Sequence, residues 1–323
     1  QYGGSGLDTL SYSLAMEEIS AACASTGVTM SVNNSLYAFP VETYGSELQK
    51  EKFLKPIVSE KIGAFGLSEP DAGSDAAGMK SRAIKDGDEW VINGSKMWIT
   101  NGGVADFYLI FANTSPELKH RGVSAFILTK DDPGFTIGAK EKKLGIRAST
   151  TTPLQFDDLR ISEDRLLGAE GEGFKIAMST LDGGRIGIAS QALGIGQAAI
   201  NAAIDYAKTR HAFGGPIARF QGLQWMIADA SMEIEAARLL TWKAALMKDA
   251  KIRFVKEAAM AKLYSSEAAV RAADMSLQIH GGAGYSRDFP IERYYRDSKI
   301  TAIYEGTSEI LRLVIARELI GKF

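Results

Sequence analysis

Apolar positions recur at helical spacing near both ends of the chain and at strand spacing between them. Residues 9–60 predict helices. The apolar face expected on the first helix consists of Leu10, Leu14, Ile19 and Ala22. Another helix is expected to begin with Ser46 as its N-cap, in the stretch SELQKEKFLKPIV.

From about residue 61 the spacing becomes that of short strands divided by Gly, Pro and Asp. The clearest stretches are ADFYLIFAN, GVSAFILTK, GFTIGA and TTPLQFDDLRI. Asn93-Gly94, within DEWVINGSKMWIT, predicts a hairpin turn between two apolar runs. The section to about residue 160 is therefore expected to form a compact antiparallel sheet or barrel.

Helical spacing returns after GAEGEGFK and continues to the end. The stripe expected on residues 222–248 consists of Leu223, Met226, Ile227, Ala230, Ile234, Ala237 and Ala244. In residues 256–280, Leu263, Val270 and Leu277 recur at intervals of seven, which indicates a tightly packed bundle. We predict an α+β fold, mostly α, in three parts: helical residues 1–60, β residues 61–163 and helical residues 164–323.

Composition limits the possible functions without selecting one. The 323 residues are 46% apolar and 24% charged, as in ordinary globular proteins, and the net charge of −2 gives no electrostatic case for binding nucleic acid or an anionic membrane. Cys23 is the only cysteine, so an internal disulfide is excluded and a reducing compartment is expected. Residues 186–204 form a low-charge run that is rich in Gly and Ala and contains Gln and Asn side chains. This composition favours a buried helix over a membrane span.

The sequence has no Cys/His cluster of metal-site spacing, no G-x-S-x-G motif and no phosphate-loop lysine motif. Its three histidines, His120, His211 and His280, are scattered. No metal site is predicted. Carboxylates, aromatic side chains and glycine-rich loops remain as candidate chemistry.

Two of these candidates lie in the predicted β section. FGLSEPDAGSD, residues 65–75, is typical of a turn between a helix and a strand, but also of a ligand-binding loop. Trp98 and Thr100, in MWITNGG, end a predicted strand. The indole of Trp98 could belong to the core, or stack on a planar cofactor while a threonine hydroxyl contacts a ring heteroatom.

Three more candidates lie in the helical section. KTRHAFGGPIARFQ ends one helix and begins another, and Arg210 could bind a phosphate beside the apolar platform of Phe213. QIHGGAGY is either a C-terminal helix cap or a backbone that approaches a pyrophosphate. Asp182 and Arg185, in LDGGRIG, are spaced for a local ion pair or could face a ligand.

Glu305 lies in AIYEGTSEIL, between an aromatic residue and a glycine. The following Thr307 or Ser308 is expected to cap a helix, so that Glu305 would lie on the preceding turn. Most glutamates in such turns are solvated. On this local evidence a catalytic role is the less frequent interpretation.

Several motifs occur together in an order that resembles the acyl-CoA dehydrogenase family across essentially the whole chain. They are FGLSEPDAGSD, NGSKMWITNG, KKLGIR, LDGGRIGIASQALG, TRHAFGGPI, QIHGGAGYSRDFPIERYYRD and IYEGTSEI. The resemblance is greatest to the short-chain, butyryl-CoA branch. It implies an N-terminal helical domain, a middle antiparallel β domain, a C-terminal four-helix bundle and one FAD per subunit of a homotetramer.

The resemblance also implies roles for individual residues. The implied FAD contacts are Phe65, Leu67, Ser68, Ser74, Trp98, Ile99, Thr100, Arg210, Phe213, Gln221, Gln278, Gly281, Gly282, Thr307, Ser308 and Glu309. Ser68 and Thr100 would supply hydroxyls, and Trp98 would cover one face of the flavin ring. The implied acyl-CoA contacts are Ser74, Asp182, Gly183, Gly184, Arg185 and Gly306.

The implied reaction is α,β-dehydrogenation of a short-chain acyl-CoA in fatty acid β-oxidation, with Glu305 as the base. Some branches place the catalytic glutamate at the position of Gly184, which has no side chain to act. An electron-transferring flavoprotein is the implied electron acceptor, and the bacterial cytoplasm or the mitochondrial matrix the implied location. A flavin oxidase of the same fold, or a non-catalytic relative that binds acyl-CoA or nucleic acid, remains an alternative.

The family usually carries roughly fifty more residues before YGG. We therefore expect the N-terminal helical domain to be incomplete in this sequence, which opens at Gln1.

Overall fold

The computed structural model describes residues 1–321, which divide into two compact units. The first unit contains residues 1–6, 29–142 and 148–184. The second contains residues 7–28 and 143–147 and resumes at residue 185. The domain boundaries expected at residues 60 and 163 stay predictions.

An eight-stranded sheet forms the centre of the first unit. Its strands are β1 Gly63–Gly66, β2 Arg82–Asp86, β3 Glu89–Thr100, β4 Phe107–Asn113, β5 Val123–Thr129, β6 Phe135–Ile137, β7 Thr151–Ser162 and β8 Leu166–Leu167. The strand order is β6-β7-β3-β2-β4-β5-β8, and β1 pairs with β4. The pairing is mostly antiparallel, as predicted, but β1 and β2 run parallel to β4.

The predicted hairpin at Asn93-Gly94 is wrong. β3 continues through this dipeptide with an irregular register against β7, and the Asn93 side chain accepts a hydrogen bond from Asp158 N at 2.8 Å. The reversal occurs earlier, where Asp86 pairs with Glu89 across a loop containing Gly87 at φ +63°. Asp-Gly and Asn-Gly give the same turn signal, so the local pattern did not distinguish a bulge from a hairpin.

Both faces of the central strands are buried. Alternate residues of β4, Leu109 and Phe111, join one apolar cluster, while Tyr108 and Ile110 join the other. A strand covered on both sides shows a continuous apolar run, as ADFYLIFAN does. The first cluster also includes residues from the helical segment 32–58 and from residues 174–181.

Short helices precede the sheet in the chain. They are α2 Ala24–Ser31, α3 Phe39–Tyr44 and α4 Glu47–Gln49, with π-helical turns at Val32–Ala38 and Lys50–Leu54 and a 3-10 turn at Lys55–Val58. Ser46 caps α4, as predicted: its hydroxyl accepts from Gln49 N, and the Gln49 side chain accepts from Ser46 N at 2.9 Å.

The second unit is mainly helical. Its helices are α1 Thr9–Ala22, α5 Gly173–Thr209 (whose first residues lie in the other unit), α6 Gln221–Asp249, α7 Val255–His280, α8 Gly282–Tyr285, α9 Ile291–Ser298 and α10 Ser308–Ile320. A small hairpin, β9 His211–Ala212 and β10 Gly215–Pro216, joins α5 to α6. Within residues 1–321, no helix has the length and apolar character needed to cross a membrane.

The apolar face predicted for α1 is wrong at Leu14 and Ala22, which are exposed, whereas Leu10 packs against a buried apolar cluster. The buried residues of α1 are Ser13, Met16, Glu17 and Ser20. Small side chains allow α1 to approach α5 closely, and Ser13 Oγ lies 2.6 Å from Ser190 Oγ. The stripe predicted on α6 is confirmed at its buried positions, including Ala230, Ile234 and Ala237.

Candidate active site

Glu305 lies on a turn that begins after the 3-10 segment Lys299–Ala302 and ends at α10. Its φ is +52°, and that of Gly306 is +98°. Thr307, one of the two predicted caps, caps α10 by accepting a hydrogen bond from Ile310 N at 3.3 Å. Residues other than glycine rarely adopt positive φ. The surrounding contacts must therefore hold Glu305 in this backbone conformation.

The carboxyl group of Glu305 is shielded from solvent, although the residue as a whole is half-buried. Among the described residues, its Oε2 atom has no hydrogen-bond partner. Burial raises the pKa of Glu305 to about 7, against the opposing effect of the cations Lys262 and Arg185. A carboxylate of this kind accepts a proton more readily than one in water.

Lys262 has the larger of these two effects. It lies on α7, its side chain is fully buried, and its Nζ donates a hydrogen bond of 2.7 Å to the carbonyl oxygen of Gly306. Burial lowers the pKa of Lys262 to about 7, and the carboxylate of Glu305 opposes this shift. Each group therefore favours the charged form of the other.

The residue before Glu305 is anchored to the helices. Tyr304 donates a hydrogen bond to Gln191 Oε1, and Gln191 Nε2 donates one of 2.8 Å to the carbonyl of Ala24. Burial holds the pKa of Tyr304 well above its ordinary value, so the phenol stays protonated and remains a donor. This chain of contacts fixes one end of the turn while Thr307 fixes the other.

Some of the predicted substrate contacts lie beside Glu305. Gly306 follows it in the chain, and the Arg185 guanidinium Nη2 is 4.0 Å from the place where a Cβ on Gly306 would stand. Arg185 is buried on α5. Asp182, Gly183 and Gly184 directly precede Arg185 on the same helix and belong to the first unit.

The predicted flavin contacts of the first unit gather at one end of β1 and β3. Phe65 lies in β1, with Leu67 and Ser68 directly after it. The backbone N–H of Met97 donates to the carbonyl of Ser68 at 2.9 Å. This bond places Ser68 beside the last residues of β3, Trp98 to Thr100.

Trp98 presents its indole to solvent. Its exposed fraction is 57%, and its φ is +65°, whereas the neighbouring Ile99 is buried. An indole held outward at a strand end by a left-handed backbone, beside the half-buried hydroxyls of Ser68 and Thr100, fits a planar heteroaromatic ring. The residues present therefore fit the isoalloxazine of FAD.

The loop that follows Ser68 is fixed by a buried ion pair that sequence reasoning missed. Lys96 Nζ lies 2.7 Å from Glu69 Oε1 and also donates to the carbonyl of Leu67 at 3.3 Å. Glu69 accepts from the backbone N–H groups of Lys80 and Ser81 as well. Beyond this anchor, Ser74 is exposed.

The residues predicted to bind the adenine nucleotide lie at another place in the second unit. Arg210 and Phe213 follow α5, Gln221 begins α6, and Gln278 to Gly282 end α7. The ring of Tyr206 stacks on that of His280 at 4.2 Å, which brings the ends of α5 and α7 together. Gln278 is sixteen residues from Lys262 along α7, or about 24 Å at 1.5 Å per residue.

Their exposure suits a ligand. Phe213 is 90% exposed at φ +51°, and Arg210 is exposed near it. A Cβ added to Gly281 or Gly282 would meet no atom of the described residues within 4 Å. The accessible backbone of the two glycines and the cation of Arg210 suit the phosphates of a nucleotide, and the flat apolar ring of Phe213 suits its base.

Lys262 was also missed. Its sequence signal was available: it is the one charged position among Ala258, Ala261, Ser265 and Ala269, which share its buried face of α7. The expected pattern of Leu263, Val270 and Leu277 fell on half-buried positions instead. Within residues 1–321, no group of three or more His, Cys, Asp or Glu side chains could hold a metal ion.

Comparison with known families matches nearly the whole chain. The N-terminal domain of acyl-CoA dehydrogenase matches residues 1–61, the middle domain residues 64–159 and the C-terminal domain residues 171–320. The resemblance inferred from the motifs is thereby confirmed.

Individual relatives agree. The human protein named short-chain specific acyl-CoA dehydrogenase, mitochondrial, is 55% identical over 324 residues, which cover 100% of this chain and 79% of the relative. The solved butyryl-CoA dehydrogenase of Megasphaera elsdenii has a TM-score of 0.97 at 49% identity, covering 99% of this chain and 85% of the other. A chain from a study of the electron transferring flavoprotein of Acidaminococcus fermentans has a TM-score of 0.98 at 50% identity, covering 99% and 85%.

Proposed function

We propose that this chain, which belongs to the acyl-CoA dehydrogenase family, uses Glu305 as the base in the FAD-dependent dehydrogenation of short-chain acyl-CoA thioesters. The substrate class is supported by relatives named short-chain specific and butyryl-CoA dehydrogenase, at about half identity over nearly the whole chain. The position of the base is supported by the geometry around Glu305.

The observation that carries this proposal is the Oε2 atom of Glu305, buried and without a hydrogen-bond partner among the described residues. A buried acceptor without a partner is costly, so its persistence points to a function. Its pKa of about 7 lets the carboxylate be ionised at neutral pH and yet retain a proton once it has taken one. General base catalysis of this kind contributes roughly 10²–10⁴-fold in rate.

In the proposed reaction, Glu305 Oε2 takes the proton from the α-carbon while a hydride leaves the β-carbon. The two C–H bonds break, a C=C bond forms between these carbons, and the product is the trans-2-enoyl-CoA. FAD, when bound, supplies the acceptor for the hydride. The turn of Glu305 and Gly306 places the carboxyl group, and burial keeps water away from it.

We assign the flavin ring to the end of β3 and the loop after β1. Trp98 would cover one ring face, while the hydroxyls of Ser68 and Thr100 would meet its polar edge. Support comes from the outward indole and from the hydrogen bond between Met97 and Ser68. The Glu69–Lys96 pair would hold this loop in place.

The remaining contacts are assigned from the family pattern. The set proposed for the rest of FAD consists of Phe65, Leu67, Ser74, Ile99, Arg210, Phe213, Gln221, Gln278, Gly281, Gly282, Thr307, Ser308 and Glu309. The set proposed for acyl-CoA consists of Ser74, Asp182, Gly183, Gly184, Arg185 and Gly306. Arg185 is buried and cationic near Glu305, which suits the polar thioester end of the substrate.

The electron acceptor is proposed to be an electron-transferring flavoprotein. The similar chain from the study of the electron transferring flavoprotein of Acidaminococcus fermentans supports this choice. A homotetramer, and a location in the bacterial cytoplasm or the mitochondrial matrix, are proposed from family resemblance.

The decisive variant is Glu305→Gln, which keeps the shape of the side chain and removes its basicity. We expect FAD and butyryl-CoA to bind normally, and the anaerobic bleaching of the flavin by butyryl-CoA to slow at least a hundredfold. Glu235→Gln, the same change at an exposed position on α6, should bleach at the native rate. Normal bleaching in Glu305→Gln would remove the assignment.

A further inference from the structure

We infer that Lys262 is a positioning residue for this reaction: it holds the turn that carries Glu305 and supplies the positive charge that favours the ionised carboxyl group. The inference rests on the proposed role of Glu305 as the base. Lys262 acts through Glu305 and not by contact with the substrate or the cofactor.

The burial of Lys262 is difficult to explain by packing. Its side chain has 0% exposure on a face of α7 made otherwise of small uncharged residues, including Ala258, Ala261 and Ser265. A buried ammonium group is costly unless it is paired and hydrogen-bonded. A methionine would fill similar volume without that cost, so the charge itself is the feature to explain.

The first task is mechanical. Lys262 Nζ donates to the carbonyl of Gly306 at 2.7 Å, and this carbonyl belongs to the residue directly after Glu305. Glu305 has a positive φ, a conformation that a residue other than glycine keeps only where contacts impose it, and Gly306 continues the turn with a positive φ that glycine adopts freely. The bond from Lys262 restrains the turn from the side of α7, between the anchors at Tyr304 and Thr307.

The second task is electrostatic. The charged or titratable groups near Lys262 and Glu305 are Arg185 from α5, Glu309 from α10 and Tyr304 within the turn. Arg185 favours the ionised carboxyl group of Glu305 but disfavours the ammonium of Lys262. Because Lys262 and Glu305 each stabilise the charge of the other, they titrate as a pair.

Removal of the lysine charge should therefore raise the pKa of Glu305. Without the charge of Lys262, only that of Arg185 opposes the rise in the pKa of Glu305 that burial causes. The carboxyl group should therefore hold its proton to higher pH. The loss of a nearby opposite charge shifts such a group by about one pH unit or more. A shift from about 7 to about 8 would cut the ionised fraction at pH 7 about fivefold, and kcat with it.

The test compares Lys262→Met and Lys262→Gln with the native protein, all loaded with FAD. The titration of Glu305 is followed by pH-difference infrared spectroscopy, with its carboxyl band identified by its loss in Glu305→Gln. The acid limb of kcat against pH is measured beside it. Lys262→Gln keeps a donor for Gly306 and removes only the charge, so it carries the test if Lys262→Met fails to fold.

We expect both variants to raise the midpoint of Glu305 and the acid limb by about one pH unit. Arg271→Met, which removes an exposed cation from the same helix α7, should move neither. An unmoved midpoint in a folded Lys262 variant overturns the inference. This outcome is separate from failure of the proposed function, which would appear as turnover by Glu305→Gln.

Discussion

The ammonium of Lys262 binds the carbonyl of Gly306 at 2.7 Å, so a buried cation restrains the residue that follows the buried carboxyl group of Glu305. These residues come from different parts of the chain, since Lys262 lies on α7 and Gly306 lies on the turn before α10. The arrangement places a base of raised pKa in a backbone conformation that cannot relax freely. It explains how an ordinary glutamate can be both shielded from water and available for proton transfer.

The pH dependence follows from the pKa of Glu305. A base must be ionised to accept a proton, and burial raises this pKa to about 7. We therefore expect kcat/KM for butyryl-CoA to fall as pH decreases through about 7, by about tenfold per unit below it. This fall is measured by steady-state kinetics between about pH 5 and about pH 9, which covers roughly two units on each side of the pKa. A rate that stays constant down to the ordinary pKa of a glutamate would contradict the assigned environment.

Replacement of Trp98 by alanine should weaken FAD binding without unfolding the chain. The indole is 57% exposed, so its removal leaves no cavity, but it takes away the proposed aromatic face for the flavin. We expect a loss of about 1–2 kcal/mol, or roughly five- to thirtyfold in affinity, measured by titration of the FAD-free protein.

Ile84→Ala provides the control for Trp98. Ile84 is 65% exposed on β2, a neighbouring strand of the same sheet. Its replacement should leave FAD affinity unchanged. Equal affinity in Trp98→Ala and the native protein would place the flavin ring elsewhere.

The buried pair of Lys96 and Glu69 should be essential for stability. Lys96→Met leaves the carboxylate of Glu69 buried without its cation, and such a loss costs about 3–5 kcal/mol. Urea unfolding followed by circular dichroism measures this difference. Lys80→Met, which breaks the exposed pair with Asp71, should unfold like the native protein. Similar midpoints for the two variants would show that the buried pair is dispensable.

Gly194 should not tolerate a side chain. A Cβ at this position of α5 would stand 2.2 Å from the carbonyl oxygen of Glu17 and 2.8 Å from Ala21 N, so α1 would have to move. We expect Gly194→Ala to lower the free energy of unfolding by about 1–3 kcal/mol. Gly222→Ala is the matched helical control, because no described atom lies within 4 Å of its added Cβ. It should be neutral or stabilise by up to about 1 kcal/mol, and equal destabilisation by both changes would contradict the close approach of α1.

The helix caps were predicted correctly from the sequence, with Ser46 as the single candidate for one helix and Thr307 as one of two candidates for another. Ser46 and Thr307 cap helices because a hydroxyl before a helix satisfies backbone donors that have no other partner. Signals shared by two structures were not. Asn93-Gly94 suits a bulge as well as a hairpin, and the apolar face expected on α1 gave way to small polar residues that allow close helix packing.

The environment of Glu305 could not be predicted from its neighbours in the sequence. Its pKa is set by burial and by the opposing charges of Lys262 and Arg185, which lie 43 and 120 positions away in the sequence, and no spacing rule connects them. Family resemblance selected Glu305 where its neighbours alone favoured a solvated charge. Lys262 was overlooked since a lysine within a helix is normally at the surface.

The most direct test of the account is proton exchange at the α-carbon of a bound acyl-CoA that lacks a transferable β-hydride. In D₂O, proton NMR should show the α-proton replaced by deuterium with the native protein. With Glu305→Gln, which retains the acyl-CoA, exchange should slow at least a hundredfold. Exchange at the native rate in Glu305→Gln would contradict the claim that this carboxyl group is the base.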